Sequence, residues 1–593
     1  MAKWMVAAKK ADFAGIAKAC DISVVTARLI RNRGVIGTEA TKKYIHGTMN
    51  DLIDPMRLPD MQKAVELIRS AIREKKKIRI FGDYDVDGIC STYIFYATLT
   101  HLGADVSTVL PDRVKDGYGL NPHMVDQALQ DGVQVMITCD NGIAAFEGAK
   151  RAKDAGVTVI ITDHHEIPYE EKDGKLCHHL PEADAIVEPK LTDSLGIPYY
   201  PFVDICGAMV AFKVCEVLLN MPDITGEPEI WQSPEQGLLR ELSGFAALAT
   251  VCDVMPLQNE NRIIVRYGLQ ELARSRNLGM RSLVEAVGLK DMPITCYHAG
   301  FVLGPCLNAS GRLENATMAL QLFKEKNLTE ATKIAEELKE LNESRKELTE
   351  KGYEEARKLL DEKESLDRVL VVYLPESMET IVGIVAARIK EHYFRPTIVL
   401  TDAKEGEGFL KGSARSIEGY DMYAEMNRCA DLFEAFGGHK MAAGCTLKKE
   451  NLDELTRRLN ENCTLTDEDL QNTIHIDMEL PLHYVSLPMT KEMEVLEPCG
   501  TGNSRAMFVV RNLTLEFIEC IGRRRNVCKF RGKDEKGHAY NMIWFTPATE
   551  IPDLACATPH LCHVVYYPSI NEWHGMRELQ FVIKDVRIVR QSS

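Results

Sequence analysis

Phe81-Gly-Asp-Tyr-Asp-Val-Asp-Gly88 sets acids at alternate positions, Asp83, Asp85 and Asp87, and far downstream Asp163-His164-His165 adds a carboxylate and two imidazoles. Carboxylates combined with imidazoles suit a hard or borderline divalent cation, so these residue types point to metal-dependent phosphoester chemistry. An EF-hand loop opens in the same way, but its twelfth position needs a bidentate Glu, and that position is Ile94. Its flanks fail too. Lys77-Ile-Arg-Ile-Phe81 alternates like a strand and Gly88 to Leu102 reads as an apolar helix, where an EF-hand needs helices on both sides. Taken alone, three alternating acids fit a solvated turn as well as a ligand set.

The elements that must position these side chains are apolar strands with polar ends. Val133–Thr138 runs into Cys139-Asp140-Asn141-Gly142, and Val157–Ile161 runs into Thr162-Asp163-His164-His165. In an open parallel sheet the carboxyl ends of the strands form the ligand crevice, so Asp85, Asp87, Asp140 and His164 are expected to converge there. A His-His pair is by itself more often a surface pair. Its place at a strand end beside two acidic strand ends favours a site.

The seven ordered motifs Asp83-Tyr-Asp-Val-Asp-Gly88, Cys139-Asp-Asn-Gly142, Asp163-His-His165, Leu248-Ala-Thr-Val-Cys-Asp-Val-Met-Pro256, Asn308-Ala-Ser-Gly-Arg-Leu313, Gly412-Ser-Ala-Arg-Ser-Ile417 and Phe436-Gly-Gly-His439 span most of the chain. With them the sequence resembles the DHH phosphoesterase superfamily, and within it the RecJ-type exonucleases. The resemblance implies a metal-dependent exonuclease digesting single-stranded DNA in the 5′ to 3′ direction, in DNA repair and recombination, with two divalent ions, Mn²⁺ or Mg²⁺. It implies that Asp140 bridges the ions, that Asp85 binds the first, and that Asp87, His164 and Asp253 bind the second. His165 would contact the scissile phosphate, and Asp83 would be a further ligand or a hydrogen-bond acceptor behind the ligands. Without the family, Asp253 reads as a helix-end acid.

Substrate contacts are implied for Arg113 and Tyr118, at the 5′-terminal phosphate and its base, for Asn308 and Arg312, and for Ser413, Arg415, Gly437, Gly438 and His439 in the second domain. Arg312 could equally make a structural contact. One departure is Cys306, where the family commonly has Arg; Cys499 and Ser504 depart from Phe and Pro. A helicase and a single-strand-binding protein are candidate partners. Two other readings stand beside the exonuclease: a DHH phosphodiesterase of short oligonucleotides or cyclic dinucleotides, which the added C-terminal domain disfavours, and a non-catalytic DNA-binding scaffold.

Length and composition set the frame. A chain of 593 residues with 45% hydrophobic content exceeds one ordinary core. The expected organisation is a leader at 1–70, a doubly wound parallel-sheet DHH catalytic domain at 71–328, a connecting helix at 329–365, a smaller α/β DHH-associated domain at 366–462 and an OB-like β-barrel at 470–593. In the connecting helix Ile334, Leu341 and Leu348 recur every seven positions, with Leu338, Leu359 and Leu360 extending the stripe. In the barrel, Arg523, Arg524, Arg525, Lys529, Arg531 and Lys533 with Phe530 among them suggest a surface that tracks phosphates and stacks bases. The net charge of −16 disfavours a protein that merely coats DNA, since acidity outside a basic groove suits an end-directed nuclease better. No signal-like or membrane-spanning run is evident, which points to a cytoplasmic protein with no membrane partner. The 17 cysteines form no Cys-x-x-Cys pair and read as buried reduced thiols, and His178-His179 reads as loop histidines.

Overall fold

The computed structural model describes residues 2–111, 119–172, 174–220, 237–313, 316–404, 406, 408–522, 525–573 and 576–589. They fall into two compact units, Thr48–Leu470 and the combination of Met1–Gly47 with Gln471–Ser593.

The larger unit begins with a five-stranded sheet in the order Asp105–Val109, Lys77–Phe81, Val135–Cys139, Thr158–Thr162, Ala185–Val187. Every neighbouring pair is parallel. The central strand Val135–Cys139 is buried throughout, because helices cover both faces and leave no polar side. Met61–Arg73, Val86–His101, Gly207–Leu219 and Leu238–Cys252 pack on one face. Pro122–Gln130 and Phe146–Asp154 pack on the other, giving the expected doubly wound architecture. The strand Lys77–Phe81 lies between the second and third strands in chain order, so the connections leave its two sides in opposite directions and open a crevice at its carboxyl end.

Helix Gly207–Leu219 carries a charge in the core. Lys213 Nζ pairs with Glu260 at 2.9 Å with both side chains fully buried, and it donates to the Ile53 carbonyl at 2.9 Å. Glu260 also accepts from the Tyr200 hydroxyl at 2.7 Å. Removing one partner strands the other charge in the core, so Lys213→Met is expected to cost about 3–5 kcal/mol, while Lys213→Met with Glu260→Leu recovers much of it. Urea unfolding of the two variants checks this.

Helix Leu328–Asp361 is 34 residues long, about 50 Å at ~1.5 Å per residue. The heptad named from the sequence is not its seam: Leu348 and Leu359 are exposed, and the buried stripe is Ala331, Ala335, Leu338, Asn342, Thr349, Gly352, Ala356 and Leu360. Small residues let the neighbours come close. Gly352 faces Val385, and Asn342 Nδ2 donates to Cys306 Sγ at 3.4 Å. Cys306 is thus a buried structural contact, with burial pushing its thiol up to about 11. The helix leads into a second sheet ordered Phe433–His439, Ala442–Lys448, Phe409–Arg415, Thr397–Asp402, Leu370–Tyr373, antiparallel except for the last pair.

In the smaller unit, Phe508–Ile521 pairs with both Val527–Lys533 and His560–Trp573, which closes a five-stranded barrel. The stretch 1–70 does not form one leader. Lys3–Val6 pairs in parallel with Thr473–Ile476, and the short helices Phe13–Cys20, Val24–Asn32 and Thr38–His46 share the barrel's core. Helix Met61–Arg73 joins the parallel sheet instead. Helices this short have too little apolar surface for a core of their own.

Two sequence expectations fail in the barrel. Phe530 is buried, edge-on to Phe517 and tilted against Trp544, because alternation along Val527–Lys533 turns 528, 530 and 532 inward. Lys529 and Lys533 face outward and pair with Glu519 and Glu516. Arg523 and Arg524 lie outside the described residues. Cys520 and Cys528 are bridged rather than reduced, since the hairpin register sets them directly opposite. His178 belongs to a small hairpin, Tyr169–Lys172 with Lys175–His178, and bonds Thr192 at 2.9 Å. Among the described residues no helix is long and apolar enough to cross a membrane.

Candidate metal centre

Asp85 caps the helix Val86–His101: its Oδ1 accepts from the backbone N–H of Asp87 at 2.9 Å and of Gly88 at 3.1 Å. Asp87, in the first turn, is buried and accepts from Gly207 N–H on Oδ2 and Ala208 N–H on Oδ1, both at 2.7 Å. Those are the first N–H groups of helix Gly207–Leu219, whose positive end favours a carboxylate. Each Asp87 oxygen keeps a second lone pair for a further partner.

Asp140 follows the strand Val135–Cys139 with φ at 60°, a left-handed backbone that Asp tolerates better than most residues. His164 follows Thr158–Thr162, and its Nε2 lies 3.1 Å from Asp140, 3.5 Å from Asp87 and 3.8 Å from Asp253. Asp253 ends helix Leu238–Cys252. Three overlapping groups have donor atoms within 4.8 Å of one another: Asp83 with Asp85 and Asp140, Asp87 with His164 and Asp253, and Asp140 with His164 and His165. Asp140 belongs to two of them.

Burial raises Asp87, and burial with the neighbouring carboxylates raises Asp140 well above the ordinary range. Asp253 is pushed up to about 8 by burial and then by Asp87 and Asp85. Burial lowers His164, favouring the neutral imidazole that ligates. Asp253 Oδ2 is buried without a hydrogen-bond partner. Crowded, desolvated carboxylates with an orphaned oxygen are what a divalent cation satisfies, so the residues present fit such ions.

His165 sits beside this cluster. Its Nδ1 is 2.7 Å from Asp163 Oδ1, which also accepts from His164 N–H at 2.8 Å, while Asp163 Oδ2 accepts from Ile143 N–H at 2.9 Å. Burial lowers His165, but the Asp163 hydrogen bond and the nearby carboxylates outweigh it and lift it to about 9. A cleft of about 580 Å³ next to it is lined by Asn121, Gly142, Phe146, Glu166 and His439, the last from the strand Phe433–His439 of the second sheet.

The remaining predicted residues spread around this point. Asn308 and Arg312 lie on helix Gly304–Leu313, and Arg312 donates to the Thr380 carbonyl at 2.9 Å, linking the two sheets' layers. Ser413 and Arg415 sit on one strand and face Gly383 near the start of helix Val382–Tyr393. Gly437 is open, whereas Gly438 has φ at 145° and packs against Ala443. Arg113 and Tyr118 lie outside the described residues.

Residues 77–250 match the DHH family, N-terminal domain; 366–464 match the DHHA1 domain and 476–585 the RecJ OB domain. A single-stranded-DNA-specific exonuclease RecJ of Bacillus subtilis is 35% identical over 571 residues, covering 96% of this chain and 68% of that protein. The chain belongs to the RecJ family. A Haemophilus influenzae RecJ is 33% identical over 94% of this chain and 95% of its own length. The crystal structure of RecJ in complex with Mn²⁺ from Thermus thermophilus superposes with a TM-score of 0.81 at 27% identity, over 99% of this chain and 80% of that one.

In this RecJ-family fold several supporting residues escaped the sequence reading. Asp163 was read only as part of a motif, yet it holds both histidines. A fourth strand, Ala185–Val187, ends at buried Glu188, which accepts from Lys190 N–H at 3.0 Å, and Lys190 Nζ pairs with Glu166 at 2.8 Å. The rule that found the other strand ends would have found this one. Gly207 gave no signal. A Cβ there would stand 2.6 Å from Asp140 Cβ and 2.8 Å from its Cα. Gly207→Ala is therefore expected to displace Asp140 and cost about 1–3 kcal/mol, with weaker Mn²⁺ binding by calorimetry than wild type.

Proposed function

We propose that the chain is a metal-dependent exonuclease that hydrolyses single-stranded DNA from the 5′ end, in DNA repair and recombination. The observation that carries this is the convergence of Asp83, Asp85, Asp87, Asp140, His164 and Asp253 at the topological switch point of the parallel sheet. Asp83, Asp85 and Asp140 would hold one divalent cation, and Asp87, His164 and Asp253 the second, with Asp140 between them. When bound, such a pair of Mn²⁺ or Mg²⁺ ions acidifies water and stabilises the entering and leaving oxygens of a phosphodiester.

The chain's own residues do the rest. Asp87, tied to the start of helix Gly207–Leu219, fixes its carboxylate in one orientation. The Asp163 hydrogen bond favours the protonated ring of His165, whose Nδ1 is anchored on Asp163, and its Nε2 would donate to a phosphate oxygen. Asn308, Arg312, Ser413, Arg415, Gly437, Gly438 and His439, with Arg113 and Tyr118, would guide the strand. A cytoplasmic setting, with a helicase supplying single strands and a single-strand-binding protein covering them, belongs to the same proposal.

The test uses end-labelled single-stranded DNA, duplex DNA and dinucleotides with Mn²⁺, Mg²⁺ or EDTA. Metal-dependent loss of the 5′ label as mononucleotide from single strands is the expected result. Cleavage of dinucleotides alone would replace the proposal with a small-substrate phosphodiesterase, and binding without hydrolysis would replace it with a scaffold.

A further inference from the structure

A cleft of about 420 Å³ opens in the larger unit at the far ends of two helices that carry metal ligands. Its lining includes Tyr93, Tyr96 and Ala97 from Val86–His101, and Leu238 and Glu241 from the start of Leu238–Cys252. Asp85 and Asp87 stand at the other end of the first helix and Asp253 at the other end of the second. From Asp87 to Tyr96 the helix rises ~14 Å at ~1.5 Å per residue, so the cleft is separate from the metal centre.

The cleft joins an apolar wall to a set of cations. Ala97, Leu238 and Leu278 form the wall, and Arg276, Lys324 and Lys326 supply the charge. Lys324 is half-buried: its Nζ donates to Thr108 Oγ1 at 3.0 Å and lies 4.2 Å from the centre of the Tyr96 ring, which holds the ammonium over the aromatic face. Burial lowers its pKa, and among the described residues no carboxylate lies within 4.0 Å of it. A desolvated cation without a counter-ion is a cost that an anion removes. The two acids of the lining do not fill this role: Glu325 Oε1 accepts from Lys326 N–H at 2.8 Å and Asn327 N–H at 2.7 Å, and Glu241 Oε1 accepts from Ser275 Oγ at 3.3 Å. Tyr93 adds a second unmet group. Its oxygen accepts from Asn277 Nδ2 at 2.7 Å, whereas its own O–H has no acceptor among the described residues.

We infer that this cleft binds a free nucleoside monophosphate, with Lys324, Arg276 and Lys326 holding the phosphate and the base lying against Ala97, Leu238 and Leu278. The volume is in the range of small-molecule sites, which pair an apolar lining with a few converging polar groups. Inorganic phosphate would leave the wall bare, and an apolar ligand would leave the cations unpaired. A nucleoside monophosphate is also what the proposed exonuclease releases, so the choice among planar phosphorylated ligands rests on that proposal. The cleft would then take up product away from the centre that makes it.

The test is calorimetric titration in EDTA, which empties the metal centre, with deoxyadenosine 5′-monophosphate, deoxyadenosine and inorganic phosphate as probes. The monophosphate is expected to bind at least about tenfold more tightly than either of the others. Lys324→Met keeps the apolar stem and should weaken it about 10- to 100-fold, the size of a lost hydrogen bond to a charged group. Lys326→Glu, an exposed change that leaves the core untouched, should weaken it about threefold. His165→Gln, at the metal centre, should leave it unchanged. No binding by folded wild type, or binding weakened by His165→Gln and by neither lysine change, overturns the cleft as a nucleotide site. The end-label assay reads the exonuclease proposal separately. Binding in EDTA without digestion of single strands overturns that proposal and the product role, whereas normal digestion without binding in EDTA overturns the cleft alone.

Discussion

Asp140→Ala is expected to lower hydrolysis of single-stranded DNA at saturating Mn²⁺ by about a thousandfold or more, since paired cations contribute several kcal/mol to the transition state at 1.36 kcal/mol per tenfold. Asp140 belongs to two of the three ligand groups, so its loss weakens both positions at once. A second readout separates loss of chemistry from loss of fold. In EDTA the variant should melt at a higher temperature than wild type, because one of several mutually repelling buried carboxylates is gone. Added Mn²⁺ should raise the melting temperature of wild type strongly and that of the variant little. Wild-type activity in the variant, or an equal Mn²⁺ shift, would remove Asp140 from the site.

Asp163→Asn is the second large effect. The carboxylate accepts from Ile143 N–H, His164 N–H and His165 Nδ1. An amide has a single acceptor oxygen, and its NH₂ meets a donor wherever it turns. About 3 kcal/mol of stability should be lost as buried donors go unpaired. Turnover should fall about 10- to 100-fold, the size of effect seen when a hydrogen-bond partner that orients a site histidine is removed, because His165 loses the anchor on its Nδ1 and the turn carrying His164 loses a backbone hydrogen bond. Urea unfolding and single-turnover digestion together decide it. Asp163→Asn with native stability and turnover would make the residue a passive part of the turn.

Stability and function meet in helix Gly207–Leu219. Its first two N–H groups fix Asp87, its Gly207 admits Asp140, and its Lys213 is locked by Glu260. A buried ion pair of this kind adds little stability relative to an apolar core, yet it sets the helix in one register, and here that register determines where the Asp87 carboxylate points.

Much of the centre was legible because its residues obey a local rule. Asp83, Asp85, Asp87, Asp140 and His164 all follow apolar strands, and a parallel sheet gathers such ends whatever their distance in sequence. The seam of helix Leu328–Asp361 was misread because leucine recurrence was taken for burial, while close packing selected Ala331, Ala335, Gly352 and Ala356. Phe530 was misread for a related reason. Interleaving with basic residues describes composition, but the pleat decides which side a strand residue faces, and it turned Phe530 into the barrel.

The amino-acid sequence alone determined the chemistry on offer: carboxylates and imidazoles at the ends of apolar strands, in motif order, are set by residue type and local periodicity. Only the tertiary structure decided that Asp163 serves the histidines, that Asp87 is held by a helix 120 residues downstream, that Gly207 leaves room for Asp140, and that Lys324 lies over the Tyr96 ring in a cleft. Those facts depend on contacts between segments far apart in the chain, and no local pattern encodes which atoms such segments bring within hydrogen-bonding or van der Waals distance.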